Sequence, residues 1–173
     1  MMHVGSVMVF DPPRKGSFDH DALLALVAKR IVGYPRFRQK VREVPGRLAN
    51  PVWVDDESFD LSYHVRQAAL PRPGTDEQLE EFVARIQPRA LDRSRPLWEV
   101  YLVEGLEFDR FAIITKTHHA LVDGVHAVDI SQLIVGPAAQ AAPDAVDSWR
   151  PQREPTDVQL VADAVADAIF MPG

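Results

Sequence analysis

The chain has 173 residues, 46% hydrophobic and 25% charged, with a net charge of −6 and no cysteine. This is the balance of a globular domain long enough to bury a real core. The acidic balance argues against nucleic acid as a partner, the lack of cysteine excludes a thiol nucleophile within the chain, and no apolar run approaches the ~20 residues of a bilayer span. Met1 leads directly into a strand-like segment rather than a secretory leader, and the cysteine-free composition fits a cytoplasmic setting.

His3 to Phe10 reads as a first strand, ended by Asp11-Pro12-Pro13. Asp19 to Val32 reads as a helix: Asp19 can cap it, and Leu23, Leu24, Val27 and Ile31 recur at helical spacing. Phe37 to Val44 alternates as a strand, placing Arg38, Lys40 and Arg42 on one face. That basic face has two readings: a contact for anionic lipid head groups or coenzyme A phosphates, or a solvated strand face that discourages edge pairing. The second is favoured.

Val52 to Val54 and Leu61 to Val65 are short strand candidates. Thr75-Asp76-Glu77-Gln78 has capping-box form and opens a helix whose Leu79, Phe82, Val83 and Ile86 make a core stripe rather than an acyl groove. Leu97 to Val103 and Arg110 to Thr117 read as antiparallel partners. Pro96-Leu97-Trp98-Glu99 reads either as a core anchor, Trp98, with Glu99 pointing outward, or as support for the histidine strand from next door, and support is favoured. Val125 to Val135 reads as a helix. Residues 136 to 155 are rich in Ala, Pro and polar residues without periodicity and read as a linker. Thr156 then caps a last helix. The organisation expected is a domain over 1–135, a linker over 136–155 and a helix over 156–173.

The chemistry centres on residues 111 to 129, FAIITKTHHALVDGVHAVD. An apolar, β-branched strand delivers His118 and His119, and Asp123 and Gly124 follow in an HHxxxDG pattern. Histidine titrates near pH 7, its unperturbed pKa being about 6.5, so it can take and return a proton. Asp123 can brace the ring or the loop, and Gly124 permits a positive φ or close backbone approach. Adjacent histidines on an extended segment point to opposite faces, so one of the pair is structural. A metal site is the rival reading, but there is no HExxH or CxxC, and His3, His20, His64 and His126 show no ligand spacing. No metal and no cofactor are expected.

The flanks narrow the reading. Leu91-Asp92-Arg93-Ser94-Arg95-Pro96-Leu97-Trp98-Glu99 precedes the histidines, and Pro35-Arg36-Phe37-Arg38, Trp53-Val54-Asp55-Asp56, Phe59-Asp60-Leu61 with His64, and Leu70-Pro71 with Pro73-Gly74 stand upstream. This ordered set resembles the N-terminal half of the bacterial wax ester synthase/diacylglycerol acyltransferase family, over about Met2 to Val135. HHxxxDG alone is shared with the wider coenzyme A-dependent acyltransferase superfamily, condensation domains included.

The resemblance implies an α+β, chloramphenicol acetyltransferase-like fold of two similar domains, with this chain as the first plus the start of the crossover. It implies fatty acyl transfer from acyl-coenzyme A to a diacylglycerol or a long-chain alcohol. His119 would be the base, Asp123 and Gly124 would organise the loop, and His118 would support it. It also implies a C-terminal half as partner and a place in the cytoplasm, peripheral to the inner membrane or lipid droplets. The segment that family members carry before the first strand is missing here, which implies a truncated or internally initiated chain. Two alternatives stay open: a condensation-type enzyme acting on a carrier-protein thioester, and a non-catalytic half that binds lipid or its partner.

Overall fold

The computed structural model describes residues 3–122, 129–136 and 147–170. The chain divides into two compact units, one of residues 1–37, 60–91 and 97–147, the other of residues 38–59, 92–96 and 148–173.

The first unit is built on a four-stranded mixed sheet in the order β1-β6-β5-β4. The strands are β1 (His3–Phe10), β4 (Val65–Ala69), β5 (Trp98–Glu104) and β6 (Phe111–His118). β6 lies antiparallel to β1 and β5, while β4 runs parallel to β5. Tyr101, Val103, Ala112 and Ile114 share one face of the sheet with Leu79 and Ile86 of helix α3 (Asp76–Ile86). Val100, Leu102 and Ile113 alternate with them, so they serve the other face. Helix α1 (His20–Ile31) packs on β4, and α5 (Ile130–Val135) packs on β6.

Local chemistry accounts for these helices. Asp19 accepts from the Ala22 amide and starts α1, and Thr75 with Gln78 closes the expected capping box of α3. The turn before α3 needs glycine. Gly74 has φ +81°, and a Cβ there would lie 1.9 Å from the Gly105 carbonyl oxygen.

The second unit contains the antiparallel pair β2 (Gln39–Arg42) and β3 (Val52–Asp55) and the helix α6 (Asp157–Phe170). Val44, Leu160 and Ala164 form its small core, with Val52 packed against them. Residues 147–155, described without helix or strand, lie along the pair: the Gln152 amide donates to Asp55, and the Glu154 amide to Glu57.

Several expectations are corrected. The segment from Phe37 does not run extended to Val44. Pro35–Arg38 is a 3₁₀ turn, and only Gln39–Arg42 is strand. Arg38 is buried, its guanidinium lying 4.9 Å from the centre of the Trp149 ring. Lys40 pairs with Glu154 at 3.0 Å, and Arg42 pairs with Glu154 and with Asp157 at 2.7 Å. The basic face is therefore neutralised within the unit.

Leu61–His64 is not strand but a helical turn, α2, in which Asp60 accepts from the Ser62 amide. α5 begins at Ile130, because Asp129 is extended and caps it; residues 125–128 of the expected helix lie outside the described residues. Glu99 does not point outward. It is buried, accepts from the Tyr101 hydroxyl at 2.7 Å, and pairs with Arg66 at 3.3 Å. Burial, reinforced by that hydrogen bond, pushes the Tyr101 hydroxyl up to about 12.

Candidate active site

The HH pair stands where β6 ends. His118 is its last residue, still tied to the sheet by its amide, which donates to the Leu97 carbonyl at 2.9 Å. His119 opens α4 (His119–Val122), a single helical turn. The opposite-faces rule for adjacent strand residues therefore does not govern this pair, because the backbone changes conformation between them. Both rings are half-buried. His118 Nδ1 accepts from the Ala120 amide at 3.2 Å. Asp123 and Gly124, the other expected site residues, lie outside the described residues.

Beneath the pair the strand is firmly held. Thr117, opposite Trp98 in the β5–β6 register, is buried, and its Oγ1 has no hydrogen-bond partner among the described residues. Trp98 is fully buried. Its indole N–H donates to the Phe37 carbonyl at 2.8 Å, and its ring stacks on His64 with centroids 4.5 Å apart. His64 Nδ1 donates to the Trp98 carbonyl at 2.7 Å, and His20 Nε2 donates to the Val65 carbonyl at 2.8 Å. Both of those histidines therefore serve the scaffold. Arg95 lies 3.7 Å from Asp92, and Arg93 lies 3.4 Å from Glu43.

Two neighbours of the site were missed by sequence reasoning. His3, on β1, is the register partner of His118; the two rings meet edge to face with centroids 5.8 Å apart. Lys116 is buried, and its ammonium donates to the carbonyls of Ile86, at 2.9 Å, and Arg89. Burial holds the Lys116 pKa below the usual lysine range, opposed by the charge of Glu99. Neither role has a local signature: a lysine in a strand ordinarily reads as solvent-facing, and His3 stands in a remote segment.

Among the described residues no group of three or more His, Cys, Asp or Glu could hold a metal ion. Among them, too, no helix is long and apolar enough to cross a membrane. What the junction offers is an imidazole carried on a short helical turn, fixed to a buried strand and suited to proton transfer.

The architecture matches solved acyl-transfer folds. It aligns with the starter condensation domain of rhizomide synthetase at a TM-score of 0.55 and 12% identity, over 76% of this chain and 30% of that one. The likeness places the chain in the α+β coenzyme A-dependent acyltransferase fold. It also aligns with the wax ester synthase/diacylglycerol acyltransferase from Marinobacter aquaeolei VT8 at a TM-score of 0.57 and 43% identity, over 73% of this chain and 31% of that one.

The chain belongs to the wax ester synthase/diacylglycerol acyltransferase family, matching its catalytic domain over residues 1–170. A protein of Mycobacterium tuberculosis named as a probable diacylglycerol O-acyltransferase, tgs3, is 48% identical over 172 residues, which are 99% of this chain and 63% of that protein. The chain thus spans less than two thirds of this relative.

Proposed function

We propose that this chain is part of an O-acyltransferase that moves a fatty acyl group from acyl-coenzyme A to diacylglycerol or a long-chain alcohol. His119 takes the proton of the acceptor hydroxyl. The oxygen attacks the thioester carbonyl, the carbon–sulfur bond breaks, and the coenzyme A thiolate leaves and recovers a proton. Acyl-coenzyme A is a substrate here, and the step needs no metal or nucleophilic side chain. Asp123 and Gly124 organise the loop, and His118 supports it. The observation that carries the reading is the HH pair at the end of a buried strand in a chain of this family.

In this reading, residues 1–135 form an N-terminal acyltransferase domain, 136–155 a linker, and 156–173 a helix leading toward a C-terminal half. The partial coverage of the relatives supports that half. So does the apolar side of α6, where Val158 is 78% and Ile169 64% exposed. The substrates partition into lipid, so the enzyme works at the surface of a membrane or lipid droplet, on its cytoplasmic side.

The test is turnover of the full-length protein with acyl-coenzyme A and a panel of acceptors. His119→Ala should lower kcat by the ~10²–10⁴-fold usual for a general base. Retained turnover in His119→Ala, with loss in His118→Ala, would reverse the roles assigned to the two histidines.

A further inference from the structure

His118 makes one hydrogen bond whose geometry specifies a job. α4 starts at His119, so Ala120 is its second residue. A residue just before a helix caps it when its side chain accepts from the amide of the second or third helical position. His118 Nδ1 accepts from Ala120 N at 3.2 Å. An imidazole thus fills the place usually taken by Ser, Asp or Asn.

The ring is oriented from the other side as well. His3 abuts it edge to face, as its register partner across β1 and β6. Nearby, Lys116 ties the Ile86 and Arg89 carbonyls to β6, two residues before His118. The C-terminal end of α3 therefore braces β6, His3 braces the His118 ring, and the ring holds the turn that carries His119. Burial and the positive charge of Lys116 lower the His3 pKa, which favours a neutral neighbour for His118.

We propose that His118 is a positioning residue that acts through Nδ1, as the cap of the α4 turn, to fix the direction of His119. This rests on the reading of His119 as the base. In this role His118 carries its proton on Nε2 and touches neither the acyl donor nor the acceptor.

Asparagine and glutamine separate the two ring atoms, because the Asn side-chain oxygen reaches about where Nδ1 lies and the Gln group about where Nε2 lies. In the full-length enzyme, His118→Asn should keep kcat near wild type. His118→Gln should lower kcat about tenfold, as expected for loss of a cap under the base, with KM little changed. On the wild-type protein, ¹⁵N NMR of labelled histidine, with the His118 signal assigned by its loss in His118→Asn, should show Nδ1 unprotonated and Nε2 protonated. Rescue by Gln but not Asn, equal activity of the two variants, or a proton on Nδ1 would each overturn the proposal. His119→Ala is run in parallel: full activity there sinks the base assignment, while the tautomer still reports on His118 by itself.

Discussion

Trp98 shows how much one side chain can determine. Its indole N–H satisfies the Phe37 carbonyl, its own carbonyl takes the His64 ring proton, and its face stacks on that ring. The LDRSRPLWE segment thus supports the strand bearing the histidines without proton chemistry of its own. Trp98→Phe keeps an aromatic ring but deletes the donor, leaving a buried carbonyl unpaired at a cost of ~1–3 kcal/mol. In urea, the unfolding midpoint should fall with an unchanged slope. An unaltered midpoint would mean that the indole hydrogen bond contributes nothing.

Among the elements, β2 is tied by charge to the start of α6 and to the segment before it. Lys40 and Arg42 meet Glu154 and Asp157 in a small network at the edge of the Val44, Leu160 and Ala164 core. The hydrogen bond from Lys40 is the largest cause holding the Glu154 carboxyl below its ordinary range, and Arg42 adds to it. A carboxylate whose folded pKa is depressed stabilises above its unfolded value, near 4.5, and that contribution is lost as pH falls through the lower folded value. Glu154→Gln should therefore cost about 1 kcal/mol or less at pH 7, as partly exposed pairs do. The deficit should shrink on going from pH 7 to pH 3. A deficit of equal size at both pH values would assign it to packing. The same pairing explains why the basic strand face is a poor candidate for binding anionic lipid.

At the scale of the molecule, the proposed chemistry needs more wall than this chain supplies. A base alone does not orient a thioester against a hydroxyl, and positioning is worth up to ~7–11 kcal/mol in favourable cases. The exposed apolar residues of α6 are the kind of surface that a further domain covers. Residues 1–173, purified alone and confirmed free of a second polypeptide by mass spectrometry, should give no turnover with acyl-coenzyme A and diacylglycerol and should tend to self-associate. Turnover at the rate of the full-length enzyme would refute the two-part site.

The amino-acid sequence by itself determined what depends on neighbours along the chain. Asp19 and the Thr75–Gln78 box mark helix starts because capping acts within one turn. The strand-like runs of 97–103 and 110–117, joined by a short turn, mark an antiparallel pair, and the HHxxxDG spacing marks the site. Asp60 and Asp129 carry the same cap signal, which sets Leu61–His64 as a helical turn and Ile130 as the start of α5.

Tertiary structure decided the rest. Arg38, Glu99 and Lys116 carry charges that a local reading assigns to water, yet each is buried, because a long side chain can carry its charge to a guanidinium, a ring or carbonyl oxygens that only the assembled unit brings near. His3 meets His118 because β1 joins the sheet beside β6 in that register. Strand order and register between remote segments are set by how whole faces pack, and no local pattern in the chain encodes them.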